Sequence, residues 1–259
     1  MAVTRTSAVV LGSFPLGESD RVVTFFSRHC GKVRGVAKGA RRLRSRFGGA
    51  LELLTLGELV FFDNGRSELV QVDHFDIVRP FARARDDLER LGQAAWIAEC
   101  LTRLTAERDP SPVLYGLVVR ALAGIEAGHA PRRLALVFGF RSIDALGHRL
   151  RIDVCMGCGR RRSSQPGRVA IDLEGGGLVC ASCARGVDVV DVGASTVDAL
   201  RRLRGMAWTE AIAAPFGRAE SELRAILDAH VTHLIGHPPR TTRFVREVER
   251  LSALPGNAP

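Results

Sequence analysis

Four cysteines stand in two close pairs, VCMGCG (Cys155, Cys158) and VCASCA (Cys180, Cys183), with 21 residues between the pairs. Two short loops of this kind each present two thiolates, and four sulfurs close a tetrahedron around a zinc ion at roughly 2.3 Å. The gap is slightly longer than the usual zinc spacing, a difference that a β-hairpin absorbs. Gly157 and Gly159 allow the first loop to turn sharply enough to aim both sulfurs inward. Thiolates take all four positions and leave none for water, so the expected ion is structural and not catalytic. Paired disulfides would need a secreted scaffold, and a redox C-x-x-C would need a thioredoxin-like βαβ context; the chain shows neither. Cys30 and Cys100 sit singly in apolar surroundings, as small core residues do.

The second concentration of chemistry is charge. In KVRGVAKGARRLRSRFGG (residues 32–49) Lys32, Arg34, Lys38, Arg41, Arg42, Arg44 and Arg46 stand together with no Asp or Glu among them. The formal net charge of the whole chain is +9, so this one stretch accounts for most of it. An arginine-rich composition would spread its charge evenly; a clustered charge points to a polyanion partner. Gly35, Gly39, Gly48 and Gly49 permit close backbone approach to a ligand. Five of these groups on single-strand phosphates would give a salt slope of about −3.5. Stacking residues are scarce, because Phe25, Phe26, Phe61 and Phe62 fall in strand-like runs where core packing is their expected role. Phe47, beside the cations, is suited equally to stacking a base and to plugging the end of a barrel.

Other constellations lead nowhere. GVAKGARR lacks the spacing of a P-loop, and neither G-x-S-x-G nor H-E-x-x-H occurs. His230 and His233 lie three apart on a predicted helix, but His230 shares its stripe with Leu223, Ile226, Leu227 and Leu234, as a packed histidine would. Glu18 and Asp20 in GESD read as a turn between strands. No enzyme is expected.

The elements that must position these groups change character along the chain. SAVVLG, RVVTFFS, KVRGVA, GELVFF and ELVQVDHFDIV are short, rich in Val and Phe and separated by turn signals, including His29-Cys30-Gly31 and Asn64-Gly65. Five such strands in about eighty residues predict a small β-barrel, with an OB-fold the commonest candidate and an SH3-like barrel giving a similar pattern. After Arg79-Pro80 the period becomes helical. Leu88, Leu91, Ala95, Ala98, Leu101 and Leu104 form one predicted stripe; Leu114, Leu117, Val118, Ala121, Leu122 and Ile125 form a second, and Leu134, Val137, Phe138, Phe140 and Ile143 a third. Helical pattern lapses over residues 151–190, which hold the cysteines, and returns from Ser195. The expected organisation is an OB-fold domain over residues 1–79 and a mostly α-helical domain over 80–259, interrupted by the cysteine module at about 151–190. No apolar run approaches the eighteen or so residues of a membrane span, and the opening lacks a signal-peptide pattern, so a cytoplasmic location is expected.

These residues together resemble the RecO family. The likeness is carried by VVLGSFPLGESDRVVTFFSRHCGKVRGVAKGARRLRSRFGGALE, where the GESD turn, the H-C-G-K connection and the A-K-G-A-R-R segment fall in the family's order, then by VCMGCG and VCASCA, and by TTRFVREVERL near the end. It spans nearly the whole chain. The resemblance implies a nucleoid-associated recombination mediator in DNA repair that binds single- and double-stranded DNA. It implies annealing of complementary strands coated with single-stranded DNA-binding protein (SSB) without ATP, and help in loading RecA. RecR and the acidic, Phe-ended tail of SSB are the implied partners. The basic residues from Lys32 to Arg46 become DNA contacts, Cys155, Cys158, Cys180 and Cys183 become ligands of one structural zinc, and Arg120, Arg132, Arg133 and Arg141 are candidates for the SSB-tail groove. Arginine takes much of the place of lysine in the basic loop, which keeps the charge and stiffens its hydrogen-bond geometry. The alternatives are a zinc-stabilised, OB-fold RNA-binding factor of translation or ribosome assembly, and a structural adaptor whose basic loop is incidental. Residues Arg160, Arg161 and Arg162 beside the cysteines are open to a direct DNA contact.

Overall fold

The computed structural model describes residues 2–65, 67–161, 167–186 and 188–252. It contains two compact units, one made of residues 1–131 with 243–259 and the other of residues 132–242.

The first unit is built on five strands: β1 (Ala2–Leu16), β2 (Asp20–Ser27), β3 (Gly31–Ala37), β4 (Leu56–Asp63) and β5 (Val70–Arg79). They close into a barrel in the order β1-β2-β3-β5-β4, the connectivity of an OB-fold. All pairs are antiparallel except β3 with β5, where Gly35, Val36 and Ala37 run parallel to Val70, Gln71 and Val72. β1 is long enough to serve two neighbours. Its first half pairs with β4 (Thr4 opposite Phe61) and its second with β2 (Val10 opposite Phe25). The register slips between Val10 and Gly12, the mark of a β-bulge, and Val10 there exchanges backbone hydrogen bonds with Leu54 and Thr55 instead. Inside lie Val10, Val23, Phe25, Val33, Leu59, Phe61, Val72 and Phe75, the alternate residues of strands with one buried face. Gly31, with φ +65°, makes the tight β2–β3 connection, and a side chain there would run into the Asp109 backbone. The Asn64-Gly65 signal marks a longer connection than a two-residue hairpin. β5 begins only at Val70, and Asp63 accepts the Gly65 N–H.

A short 3₁₀ turn (Ala82–Arg85) leads to α1 (Leu88–Leu104) and α2 (Pro112–Glu126). Each starts on a side-chain cap, Asp87 accepting the Arg90 N–H and Ser111 the Leu114 N–H. The stripe expected on α2 is buried in full. That on α1 is rotated. Leu88 is exposed, while Gln93, Ala94, Trp96, Ile97, Ala98, Cys100 and Leu101 are buried, because more than one face of this helix is covered. Residues Val245 and Val248 of the final helix, α7 (Arg240–Ser252), are buried, and Gly92 of α1 leaves room for Phe244 and Val245 beside it.

The second unit holds α3 (Pro131–Ala145), a sheet of β6 (Arg168–Asp172), β7 (Gly177–Val179) and β8 (Val189–Gly193) in the order β7-β6-β8, then α4 (Ala194–Gly205), α5 (Trp208–Ala213) and α6 (Ala219–Ile235). Leu134, Val137, Phe138, Phe140 and Ile143 of α3 are all buried, as the periodicity predicts. Arg204, nearly buried, grips Asp144 with two guanidinium nitrogens at 2.7 and 2.8 Å and donates a third bond to the Leu150 carbonyl. His230 is buried on α6, and burial, followed by His233, His148 and Arg204, pushes its pKa down to about 4, so it packs as a neutral ring. No helix among the described residues is long and apolar enough to cross a membrane.

Candidate nucleic-acid interface and metal centre

The seven cations meet two different fates. Lys32 and Arg34 stand on the outer face of β3, whose inner face carries Val33 and Ala37. Lys32 is buried there. Its ammonium donates to the Thr102 carbonyl at 2.7 Å and the Thr105 carbonyl at 2.6 Å, and lies 3.8 Å from the Glu107 carboxylate. Those contacts engage the donors of the group, and burial lowers its pKa, with Glu107 opposing. Arg34 lies 3.1 Å from Glu68 and 3.3 Å from Glu107. Both residues were expected to touch DNA; the structure engages both within the unit.

Past Ala37 the picture reverses. Residues 38–55 form a chain of turns between β3 and β4, and Lys38, Arg41, Arg42 and Arg44 are exposed, with no carboxylate within 4.0 Å of any of them among the described residues. Arg46 is half exposed, 3.7 Å from Asp73, with its guanidinium over the Phe47 ring at 5.2 Å. Phe47 itself is buried with Val10, Phe25 and Leu51, so it plugs the barrel and presents no ring to a base. Phe25, Phe26 and Phe61 are buried as expected. The aromatic that pattern reading passed over is Phe14, 52% exposed on β1; its signal was its place two residues before the Leu16-Gly17 turn, past a glycine that interrupts the strand.

The GESD turn holds this loop in place. The Asp20 carboxylate accepts the Gly39 N–H at 2.8 Å and the Ser19 hydroxyl at 2.8 Å. These bonds, the Gly39 one foremost, hold its pKa below the ordinary value. Ser19 accepts the Arg41 N–H, and the Arg41 guanidinium donates to the Gly17 carbonyl at 2.9 Å. The two carboxylates of GESD therefore do no acid–base chemistry that the structure suggests; one of them shapes the cationic loop.

In the second unit Cys155, Cys158, Cys180 and Cys183 bring their sulfurs within 4.8 Å of one another. Cys158 and Cys180 are 3.9 Å apart, close to the roughly 3.8 Å edge of a tetrahedron with 2.3 Å metal–sulfur bonds. Two tight loops supply the pairs. In the first, Gly159 donates to the Cys155 carbonyl and Cys155 to the Arg160 carbonyl; in the second, Cys183 and Ala184 both donate to the Cys180 carbonyl. Gly159 turns the first loop with φ +70°, while Gly157 has a separate reason, since a side chain there would meet the Cys183 sulfur at about 3.0 Å. Backbone donors also point at sulfur, the Cys180 N–H reaching Cys155 at 3.3 Å. For Cys155 burial raises the pKa but N–H donors from Cys180, Cys158 and Gly157 outweigh it and bring it down. Cys180 falls to about 6, chiefly through the Ser182 hydroxyl, while Cys183 is pushed up to about 12, first by its bond with Cys180. Crowded sulfurs that accept backbone N–H groups are a donor set suited to a thiophilic dication.

Of the flanking arginines, Arg160 and Arg161 are exposed and Arg162 lies outside the described residues. Arg133 pairs with Glu220 and covers the Phe216 ring at 4.9 Å; Arg141 donates to the Met206 carbonyl and covers Trp208 at 5.6 Å. Arg120 and Arg132 are both exposed.

Known proteins match this chain over most of its length. Residues 1–81 match the family described as Recombination protein O N terminal, and residues 85–243 match Recombination protein O C terminal. The chain is 37% identical over 250 residues to the DNA repair protein RecO of Anaeromyxobacter sp. (strain K), covering 94% of this chain and 96% of that one. It is 33% identical over 242 residues to the protein of the same name from Myxococcus xanthus, covering 93% and 96%. To that of Syntrophus aciditrophicus it is 27% identical over 254 residues, covering 96% and 98%. The chain belongs to the RecO family.

Proposed function

We propose that this protein is a DNA-binding mediator of recombinational repair. It binds single- and double-stranded DNA, anneals complementary strands coated with SSB, and helps RecA to load together with RecR. The observation that carries the reading is the loop itself: four exposed cations with no carboxylate within 4.0 Å among the described residues, held by the GESD turn on a barrel of a chain whose relatives are named DNA repair proteins. We assign DNA binding to residues 1–79, with Lys38, Arg41, Arg42, Arg44 and Arg46 as the contacting groups, and Lys32 and Arg34 as their support. Residues 80–259 form the helical domain of the proposal, and its partners are RecR and the acidic SSB tail.

Annealing follows from the electrostatics. Two strands repel through their phosphates, and a cationic loop that binds either one weakens that repulsion and raises the local concentration of both. Contacts made to the backbone leave base edges free to pair. No catalytic step is required, and the site we place at work is the nucleoid of the cytoplasm.

Cys155, Cys158, Cys180 and Cys183 are proposed to hold one structural zinc, which would supply folding energy to the surrounding loops and no reaction. The four thiolates fit it in softness, number and spacing. Metal analysis of the purified protein is expected to find one zinc per chain, and Cys158→Ser with chelator is expected to cost residues 132–242 several kcal/mol of stability. A metal-free protein with unchanged thermal unfolding would refute the assignment.

The function is tested by annealing complementary oligonucleotides coated with their cognate SSB, without nucleotide. Acceleration supports the mediator reading. No acceleration, with single-stranded DNA binding intact, leaves a general nucleic-acid binder and refutes it.

A further inference from the structure

The barrel corner that carries the free cations also carries apolar surface that the fold leaves uncovered. Phe14 is 52% exposed, Leu16 41% and Leu43 104%. Phe14 owes its position to the slip in β1. Ser13 pairs with Val23, whose side chain is in the barrel core, so Phe14 pairs with Val22 on the outer face, and Val22 pairs in turn with Val36 of β3. The Phe14 ring thus rests at the edge of an apolar strip on the outside of the sheet. Leu16 shares its face and pairs with Asp20, the residue that holds the loop through Gly39. Arg41 is tied to Gly17 and Ser19 on one side, and Leu43 follows it two residues later, in turns closed by Arg42 N–H to Gly39 O and Ser45 N–H to Arg42 O. Phe14 thus lies three residues before Gly17, to which Arg41 is tied, and Leu43 two residues after Arg41, so one contact joins the strand end that carries Phe14 to the turns that carry Leu43 and the cations.

We propose that Phe14 and Leu43 contact unpaired bases, and that they give this corner a preference for single-stranded over double-stranded DNA. The inference rests on the DNA-binding reading above and adds to it what the charges do not supply. A single strand is the occupant that brings phosphates for the cations and open base faces for the apolar groups within one short length. A base stacked on an exposed ring contributes about 1–3 kcal/mol, regardless of its identity, and an apolar side chain beside it covers part of the same base face. In duplex the base faces are already stacked on one another, so the same residues gain nothing. A Phe-ended acidic peptide would satisfy the cations too, but it seeks a pocket, and the outer face of the barrel offers Phe14 as a platform.

The test measures the affinity of Phe14→Ala and Leu43→Ala for a single-stranded oligonucleotide and for its duplex, across a range of salt. Phe14→Ala is expected to weaken single-strand binding by about 5- to 100-fold at every salt concentration, with the salt slope and the duplex affinity unchanged. Leu43→Ala, whose side chain touches nothing in the fold, is expected to act in the same direction with a smaller loss. Phe14→Trp is expected to restore the affinity, and its indole fluorescence to fall when DNA is added. Equal losses on both DNA forms, or none, would overturn the inference while leaving a wild-type protein that binds both forms consistent with the function above. A wild-type protein that binds neither form would overturn both. Loss of binding to a Phe-ended acidic peptide, with DNA binding intact, would also overturn it and assign the apolar corner to a protein partner.

Discussion

The strand half and the loop half of one basic stretch both carry cations without an acid in sequence, and they have opposite surroundings. In β3, Lys32 is buried against carbonyls and Arg34 is flanked by Glu68 and Glu107, acids far away in sequence. In the loop that follows, Lys38, Arg41, Arg42 and Arg44 meet water. The difference comes from geometry: a strand side chain must point into one of two faces, and the outer face of β3 is met by the segment after α1, whereas Lys38, Arg41, Arg42 and Arg44 project from turns that dock on the barrel by their backbone and leave the charged ends exposed. Clustered charge in a sequence therefore marks a candidate ligand site only where the fold leaves the cations exposed and out of direct ion pairs.

That contrast can be broken most forcefully by removing the loop's charge. Changing Lys38, Arg41, Arg42 and Arg44 together to Gln is expected to cost at least about a hundredfold in DNA affinity at low salt and to flatten the single-strand salt slope by about 3, with thermal stability unchanged. Unaltered affinity would mean that the loop is not the site. Lys32→Met is the reverse experiment. It leaves the Thr102 and Thr105 carbonyls without their donor, so urea denaturation should show a loss of about 1–3 kcal/mol while the salt slope stays as in the wild type. Should the slope fall instead, the division between the halves is wrong. Asp20→Asn tests the hinge between them; amide exchange at Gly39 should quicken, and annealing should slow by a smaller factor than in the fourfold variant. The smallest effect is one of pH. Because burial lowers the Lys32 pKa, the unfolded chain holds that proton more tightly between the lowered value and 10.5, so stability should rise with pH across that window relative to Lys32→Met.

Much of this was open to pattern reading, for local reasons. The five strands announced themselves because alternating Val and Phe residues and turn residues encode the period directly, and the C-x2-C pairs because metal chemistry demands a fixed spacing. The four sulfurs do converge, as that spacing requires. What escaped was long-range. Nothing in KVRGVA reveals that residues 102–107 will lie over Lys32, since that contact spans about seventy positions. The rotation of the buried stripe on α1 escaped for the same reason, as did the burial of Phe47, whose neighbours are supplied by barrel closure. Phe14 was missed because a one-residue slip in β1 reverses which face its side chain takes, and a bulge leaves little trace in composition.

The first unit is discontinuous in sequence, with residues 1–131 at one end and 243–252 at the other. On a ribosome, the barrel and its first two helices emerge early, but Val245 and Val248 exist only after the entire intervening unit has been synthesised. At about 5–20 residues per second, the surface around Gly92 waits several seconds or more for its cover. The newborn chain thus passes through an interval in which an apolar groove on α1 is bare, and a ribosome stalled late would leave a closed barrel without the strap that covers its helical side.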